Sequence, residues 1–269
     1  MPENIDKWIV SNKITQTTRL QRLTEFTKIL KANVIDLGNY YYHNLNLFEY
    51  IINCKKIAKL RELSKSGIPH EVRGVVWQLL LGYLPVNKSE QTGALLEKRQ
   101  KYWNLAKHLM PSAETLKNRS NPVWEQVHVD VIRTYPINLE NFFESAAIRR
   151  TLCRIIYTYC TIHQNSNYWQ GLNEIPTPFI TTFFSFYSGY SVKKLNELSE
   201  EQIVNILESG TIESDVYWCV VKFVDYLQLK NGEYVVSKNG IITESAMMQR
   251  FASLATIFDG SFYFMILFG

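Results

Sequence analysis

The chain has 269 residues, 46% of them hydrophobic and 13% aromatic, and a formal net charge of +4. That is material for one large domain or two small ones with a sizeable core, and it excludes a disordered chain. No clustered Lys/Arg stripe marks a nucleic-acid footprint, and no run reaches the roughly 18–20 apolar residues that span a bilayer. The start, MPENIDKWIVSNK, carries acidic residues and no apolar run, unlike a secretory leader.

In chain order, residues 17–31 read as a helix with Leu20, Leu23, Ile29 and Leu30 inward, followed by the aromatic stretch NYYYHNLNLFEY. CKKIAKLRELSK (54–65) reads as the solvated face of a helix rather than a phosphate-binding patch. In HEVRGVVWQLLLGYLP, Val72, Val75, Val76, Leu79, Leu80 and Tyr83 recur with the period of one buried helix face. Pro69 suits its first turn and Pro85 ends the segment. FFESAAIRRTLCRIIYTYCTIHQ (142–164) repeats the pattern as one helix, with Ile148, Leu152, Ile155, Ile156 and Tyr159 inward. SEEQIVNILESG (199–210) opens with a Ser-x-x-Gln capping box and closes at Gly210. ESDVYWCVVKFVDYLQ (213–228) puts Tyr217, Val220, Val221, Val224 and Leu227 on one side, and GEYVVSKNG (232–240) reads as a short hairpin or a loop. The fold class is all-α, without a fixed repeat.

Cys54, Cys153, Cys160 and Cys219 show no C-x-x-C spacing and read as reduced, mostly buried thiols of a cytosolic protein. His128 and Asp130 form only an H-x-D pair, so no metal site is expected. The chain stops inside SFYFMILFG, an apolar tail that needs further chain, or a fold-back, to pack on. The expectation is a fragment or an unusually short version of a longer domain.

Three clusters carry residue types that the periodicity does not require. In SGIPHEVRGVVW (66–77), Arg73 lies on a helix with an apolar face; alone it reads as a surface arginine packing its stem. In VHVDVIRTYP (127–136), Asp130 and Arg133 are three apart and would meet on one turn. An exposed pair of that kind is worth about 0–1 kcal/mol. NSNYWQGLNEIPTPF (165–179) crowds amides around a Tyr-Trp pair, and alone reads as a polar loop with Pro176 and Pro178 marking the next break.

Together and in this order, the clusters resemble the TBC domain of Rab GTPase-activating proteins: G-I-P-x-x-x-R-x-x-x-W from Gly67 to Trp77, V-x-x-D-x-x-R from Val127 to Arg133, and Y-x-Q-G from Tyr168 to Gly171. LLLGYLP (79–85), LLEKRQKYW (95–103) and SDVYWC (214–219) support the likeness. It runs from about residue 60 to the end, leaving 1–59 as a helical lead-in with an insertion. Within the family it resembles the subgroup of the fungal Golgi Rab GAP and its animal counterparts. Four departures stand out: Ile132 where that subgroup has Pro, Lys-Ser where it has Trp before Gly67, Glu174 where it has Asp, and the insertion before residue 60.

The resemblance implies a V-shaped all-helical domain with an incomplete second lobe, taking a GTP-bound Rab in its groove. It implies that Arg133 is an arginine finger and Gln170 a glutamine finger, both supplied in trans. Asp130 would orient Arg133, Gly171 allow close approach, Tyr168 and Asn173 hold the finger loop, and Arg73 brace the groove. GTP and Mg²⁺ would travel with the partner, and no G-x-x-x-x-G-K-[ST] cradle occurs here. The implied location is cytoplasmic, with peripheral recruitment to Golgi or other endomembranes. The rival expectation is a non-catalytic TBC-like scaffold that binds a GTPase or an adaptor.

Overall fold

A computed structural model describes residues 16–31, 45–112, 114–115, 120–163, 168–169 and 171–229. The readings of 232–240, of the apolar tail, of the aromatic stretch before residue 45 and of Gln170 fall outside them, as do the side chains of Cys54 and Leu227. The described residues are helical and contain no strand: α1 Gln16–Lys31, α2 Leu45–Ser64, α3 His70–Leu80, α4 Lys88–Leu109, α5 Pro122–Ile132, α6 Glu140–Glu144, α7 Ala146–Ile162, α8 Pro176–Ser188, α9 Glu200–Leu207 and α10 Thr211–Leu229. Short 3₁₀ turns occupy Leu172–Glu174 and Val192–Glu197. No helix among them is long and apolar enough to cross a membrane.

Several expected elements take a different form. The helix foreseen over 142–164 is two, because Ser145 adopts an extended backbone (φ −51°, ψ 129°) and its side chain accepts from the Ile148 amide. A capping serine there starts α7 afresh and leaves Phe142 and Phe143 buried in the separate α6. Pro176 and Pro178, read as a break, instead open α8, whose first turn has no use for their missing N–H groups. Phe179, Ile180, Phe183 and Phe184 form a fully buried stripe there, and Thr177, Thr181 and Thr182 on the other sides are buried too, so α8 is covered all round where a surface helix would leave its polar side open. The second half of α3 is likewise buried on more than one face, Trp77 and Gln78 included. On α1, Leu20 is 60% exposed and Phe26 is the buried anchor in its place. The Ser199 capping box of α9 forms as read, with Gln202 bonding back to the Ser199 amide.

α8 is the central helix, packed against α10 on one side and α3 on another. Trp77 of α3 meets Phe179 edge to face at 5.4 Å, and Phe179 meets Phe223 of α10 at 5.9 Å. α7 lies against α5, α10 and α4, while α1 and α2 pack on α3. Cys153, Cys160 and Cys219 are free and buried, and burial pushes the first two thiols up to about 12, making them packing groups.

Two buried carboxylates near the start of α10 tie these helices together. Positions two apart on a helix point to different sides, so Glu213 and Asp215 reach different neighbours. Asp215, fully buried, accepts from Arg99 of α4 (2.8 and 2.7 Å), Tyr83 (2.6 Å), Gln78 of α3 (3.2 Å) and Tyr187 of α8. Glu213 accepts from Tyr102 of α4 (2.6 Å) and from Arg154 of α7 (2.7 Å through Nε). Burial alone would lower the Arg99 guanidinium, yet its bonds to Asp215 hold it above its ordinary value. The entry to α10 is fixed by Gly210 (φ 66°): a Cβ there would fall 2.6 Å from the Trp103 ring.

Removing one partner of a buried charge network strands the others, at a cost of about 3–5 kcal/mol. Asp215→Ala is therefore expected to lower the unfolding free energy by that amount in urea titration. A loss below about 1 kcal/mol, the range of an exposed pair, would contradict the network's role.

Candidate functional site: the junction of the α5 end and the 168–174 turn

Helix α5 begins at a capping asparagine: the Asn121 side chain accepts from the Trp124 amide (3.0 Å), and Pro122 fills the first turn. Val127 and Val131 bury its inner face on α7. The helix tightens at its end, where the Arg133 amide donates to the Asp130 carbonyl (3.1 Å) and the Thr134 amide to the Val131 carbonyl (3.1 Å). This puts Arg133 at the C-cap with φ −93° and ψ 1°. Its guanidinium, 68% exposed, pairs with the Asp130 carboxylate, which is only 12% exposed.

The other Asp130 oxygen accepts from the Tyr168 hydroxyl at 2.5 Å. Burial, with the bond to Asp130 behind it, raises the Tyr168 phenol well above its ordinary value, so it remains a donor. Asn173, buried, donates to the Thr134 hydroxyl (2.9 Å) and to Glu174 (3.0 Å). Thr134 in turn donates to the Asp130 carbonyl (2.9 Å). Thus two bonds, Tyr168 to Asp130 and Asn173 to Thr134, fasten the 168–174 segment to the end of α5. Gly171 takes φ 95°, a conformation that costs a side-chain-bearing residue, and its carbonyl accepts from the Glu174 amide (3.1 Å) to close the turn. Trp169 packs on the core with its ring edge to face with Tyr159, at 6.2 Å.

Of the expected site residues, the structure brings Arg133, Asp130, Tyr168 and Asn173 together, with Gly171 in the same turn. Gln170 lies between Trp169 and Gly171 and is itself outside the described residues. Arg73 sits on α3, where its guanidinium donates to the Ile68 carbonyl (2.8 Å) and so fastens the chain that leads into that helix. Thr134 was not foreseen. Its signal was available: residues 127, 131 and 134 follow the spacing of one buried face, and a hydroxyl at an inward position needs a partner. No group of three or more His, Cys, Asp or Glu suited to a metal occurs among the described residues.

The Rab-GTPase-TBC domain pattern matches residues 70–243. The chain belongs to that family. The GTPase-activating protein GYP1 of Saccharomyces cerevisiae is 33% identical over 211 residues, which is 77% of this chain and 32% of the relative. The gyp1 protein of Schizosaccharomyces pombe is 31% identical over 249 residues, 90% of this chain and 42% of the relative. TBC1 domain family member 22B of Homo sapiens is 31% identical over 185 residues, 69% of this chain and 34% of the relative. This TBC chain thus spans about a third to two fifths of the curated relatives. The crystal structure of the Ypt/Rab-GAP domain of Gyp1p superposes with a TM-score of 0.64 at 28% identity, covering 91% of this chain and 67% of that one. The all-helical TBC fold expected from the motifs is therefore the fold the chain adopts.

Burial raises the Glu174 carboxyl above its ordinary value, the Asn173 bond opposes that shift, and the nearby Asp130 charge adds to it. A carboxyl with a raised folded-state pKa holds its proton more tightly when folded. Its ionised form therefore destabilises the fold above that pKa, and acidification toward the unfolded value relieves the cost. Glu174→Gln keeps an acceptor for Asn173 and removes the charge. It is expected to stabilise the domain at pH 7 in urea titration, with the gain shrinking at pH 4; a gain that grew on acidification would contradict the assignment.

Proposed function

We propose that this domain accelerates GTP hydrolysis by a Rab-family GTPase in its GTP-bound state. Arg133 serves as the arginine finger and Gln170 as the glutamine finger, and the nucleotide and Mg²⁺ are carried by the partner. The observation that carries this reading is the junction at Asp130: one well-covered carboxylate holds an exposed guanidinium and, through Tyr168, the segment that bears Gln170. The relatives named GTPase-activating proteins and the solved Ypt/Rab-GAP domain support it.

The chemistry asks for what these residues supply. Transfer of a phosphoryl group to water needs positive charge on the transferring oxygens and a group that orients the water. Arginine remains charged throughout the working range and offers a planar fork of donors. Glutamine accepts from water through its carbonyl and donates through its amide nitrogen, with no pKa to tune. The Arg133–Asp130 pair is exposed on the arginine side, so it is worth at most about 1 kcal/mol. Asp130 can therefore aim the guanidinium without trapping it. Tyr168 and Asn173 anchor the turn that follows, and Gly171 leaves room for the partner's backbone. Recruitment to Golgi or other endomembranes would come through the partner.

An arginine finger is worth about 10³–10⁵ in rate, or roughly 4–7 kcal/mol of barrier. In single-turnover assays across a panel of GTP-loaded Rabs, the parent is expected to accelerate at least one. Arg133→Ala and Gln170→Ala are each expected to lose most of that acceleration while retaining the fold. Binding without acceleration in the parent would support the scaffold reading, and alanine variants as active as the parent would remove the two residues from the mechanism.

A further inference from the structure

A cavity of about 610 Å³ opens between the end of α4, one flank of α5 and the first turns of α7. It lies on a different side of α5 from Asp130, since His128 and Ile132 line it at the spacing of one helix face. Trp124 and Ile132 give it apolar walls, and Arg149, Arg150 and Arg154 give it a cationic edge. Arg154 is neutralised by Glu213 beneath it. Arg149 is held as well: it donates to the Tyr135 hydroxyl at 2.7 Å and its guanidinium stands 5.5 Å from that ring. Arg150 and His128, both exposed, make no hydrogen bond or ion pair among the described residues. With Glu125 as the carboxylate on this wall, the cavity is net positive and partly apolar.

Its place relative to the finger decides what fills it. Ile132, on the cavity wall, precedes Arg133 directly, and Arg149 reaches from the cavity to Tyr135, two residues after Arg133. Around the same arginine the chain exposes a run of large apolar side chains: Val129, Ile132, Tyr135 and Ile137, the last 59% exposed. A partner that sets its nucleotide at Arg133 covers this ground, and interfaces favour aromatic and arginine contacts seated in pockets. We infer that the cavity is a docking pocket for the same GTPase, taking an acidic side chain flanked by an apolar one, with Arg150 as the pairing cation. This rests on the function proposed above and adds how the partner is selected. The apolar neighbour fills the space between Trp124 and Ile132, while the carboxylate meets Arg150 at the rim.

The test uses the full chain and a Rab that it accelerates, with single-turnover rates measured against protein concentration at low and high salt. Arg150→Glu is expected to raise the half-saturating concentration by about tenfold, with most of the effect at low salt, as for a charge that steers association. The maximal rate should hold, and Arg150→Lys should stay near the parent. A curve for Arg150→Glu that superimposes on the parent, or one that drops in maximal rate at unchanged half-saturation, overturns the pocket while leaving the GTPase-activating reading intact. A parent that accelerates no Rab overturns that reading, and the pocket falls with it.

Discussion

The site depends on one carboxylate serving two segments far apart in sequence. Asp130 sits in the last turn of α5, with one oxygen on Arg133 and the other on Tyr168. Its low exposure makes the bond from Tyr168 stronger than it would be in open water, because little solvent competes for its lone pairs on that side. The arginine side remains open to solvent and is only lightly held. The tyrosine side is half-buried, and its phenol stays a donor because burial and the adjacent charge both oppose its ionisation. One end of the junction is thus firm and the other adjustable, which is the division of labour the proposed role of Arg133 requires.

That junction is only as fixed as the helices beneath it. α5 rests on α7, and α7 is tied to α10 by Arg154 and Glu213. α10 is tied in turn to α3, α4 and α8 by Asp215. Buried ion pairs are weak evidence for stability as such. Their use here is geometric: each carboxylate satisfies donors from more than one helix, so a shift of any one helix would leave buried polar groups unpaired. The same α7 carries Arg149, which grips Tyr135 beyond Arg133, so the segment bearing Arg133 is braced both before and after that residue.

Much of this was legible in the chain. Helical periodicity marked α3, α7, α9 and α10 because their buried faces recur at 3.6 residues, and the Ser199 box announced the start of α9. The signal failed where burial is not one-sided. α8 buries threonines on the sides away from its phenylalanines and opens with two prolines, so a reading that takes prolines as breaks passes over it. Ser145 splits an apparently continuous helix, because capping turns on one residue's backbone conformation and leaves no periodic trace. At the site, the pairing of Asp130 with Arg133 followed from their spacing. The bonds from Tyr168 and Asn173 join residues about 40 positions apart, and no local pattern encodes them; the family motifs alone put those residues in view. Glu213 and Asp215 stand in the polar first turns of α10, TIESD, where carboxylates ordinarily face solvent, so their burial with arginines from other helices could not be foreseen.

The central claim is that Asp130 couples the arginine segment to the 168–174 turn, so that the two act as one unit. A double-mutant cycle on GTPase acceleration, with Asp130→Ala, Tyr168→Phe and the pair, measures that coupling directly. If the account holds, Tyr168→Phe slows the reaction in the parent and has almost no further effect once Asp130 is gone. Effects that simply multiply would mean the two side chains act independently, and the junction would not be the device described.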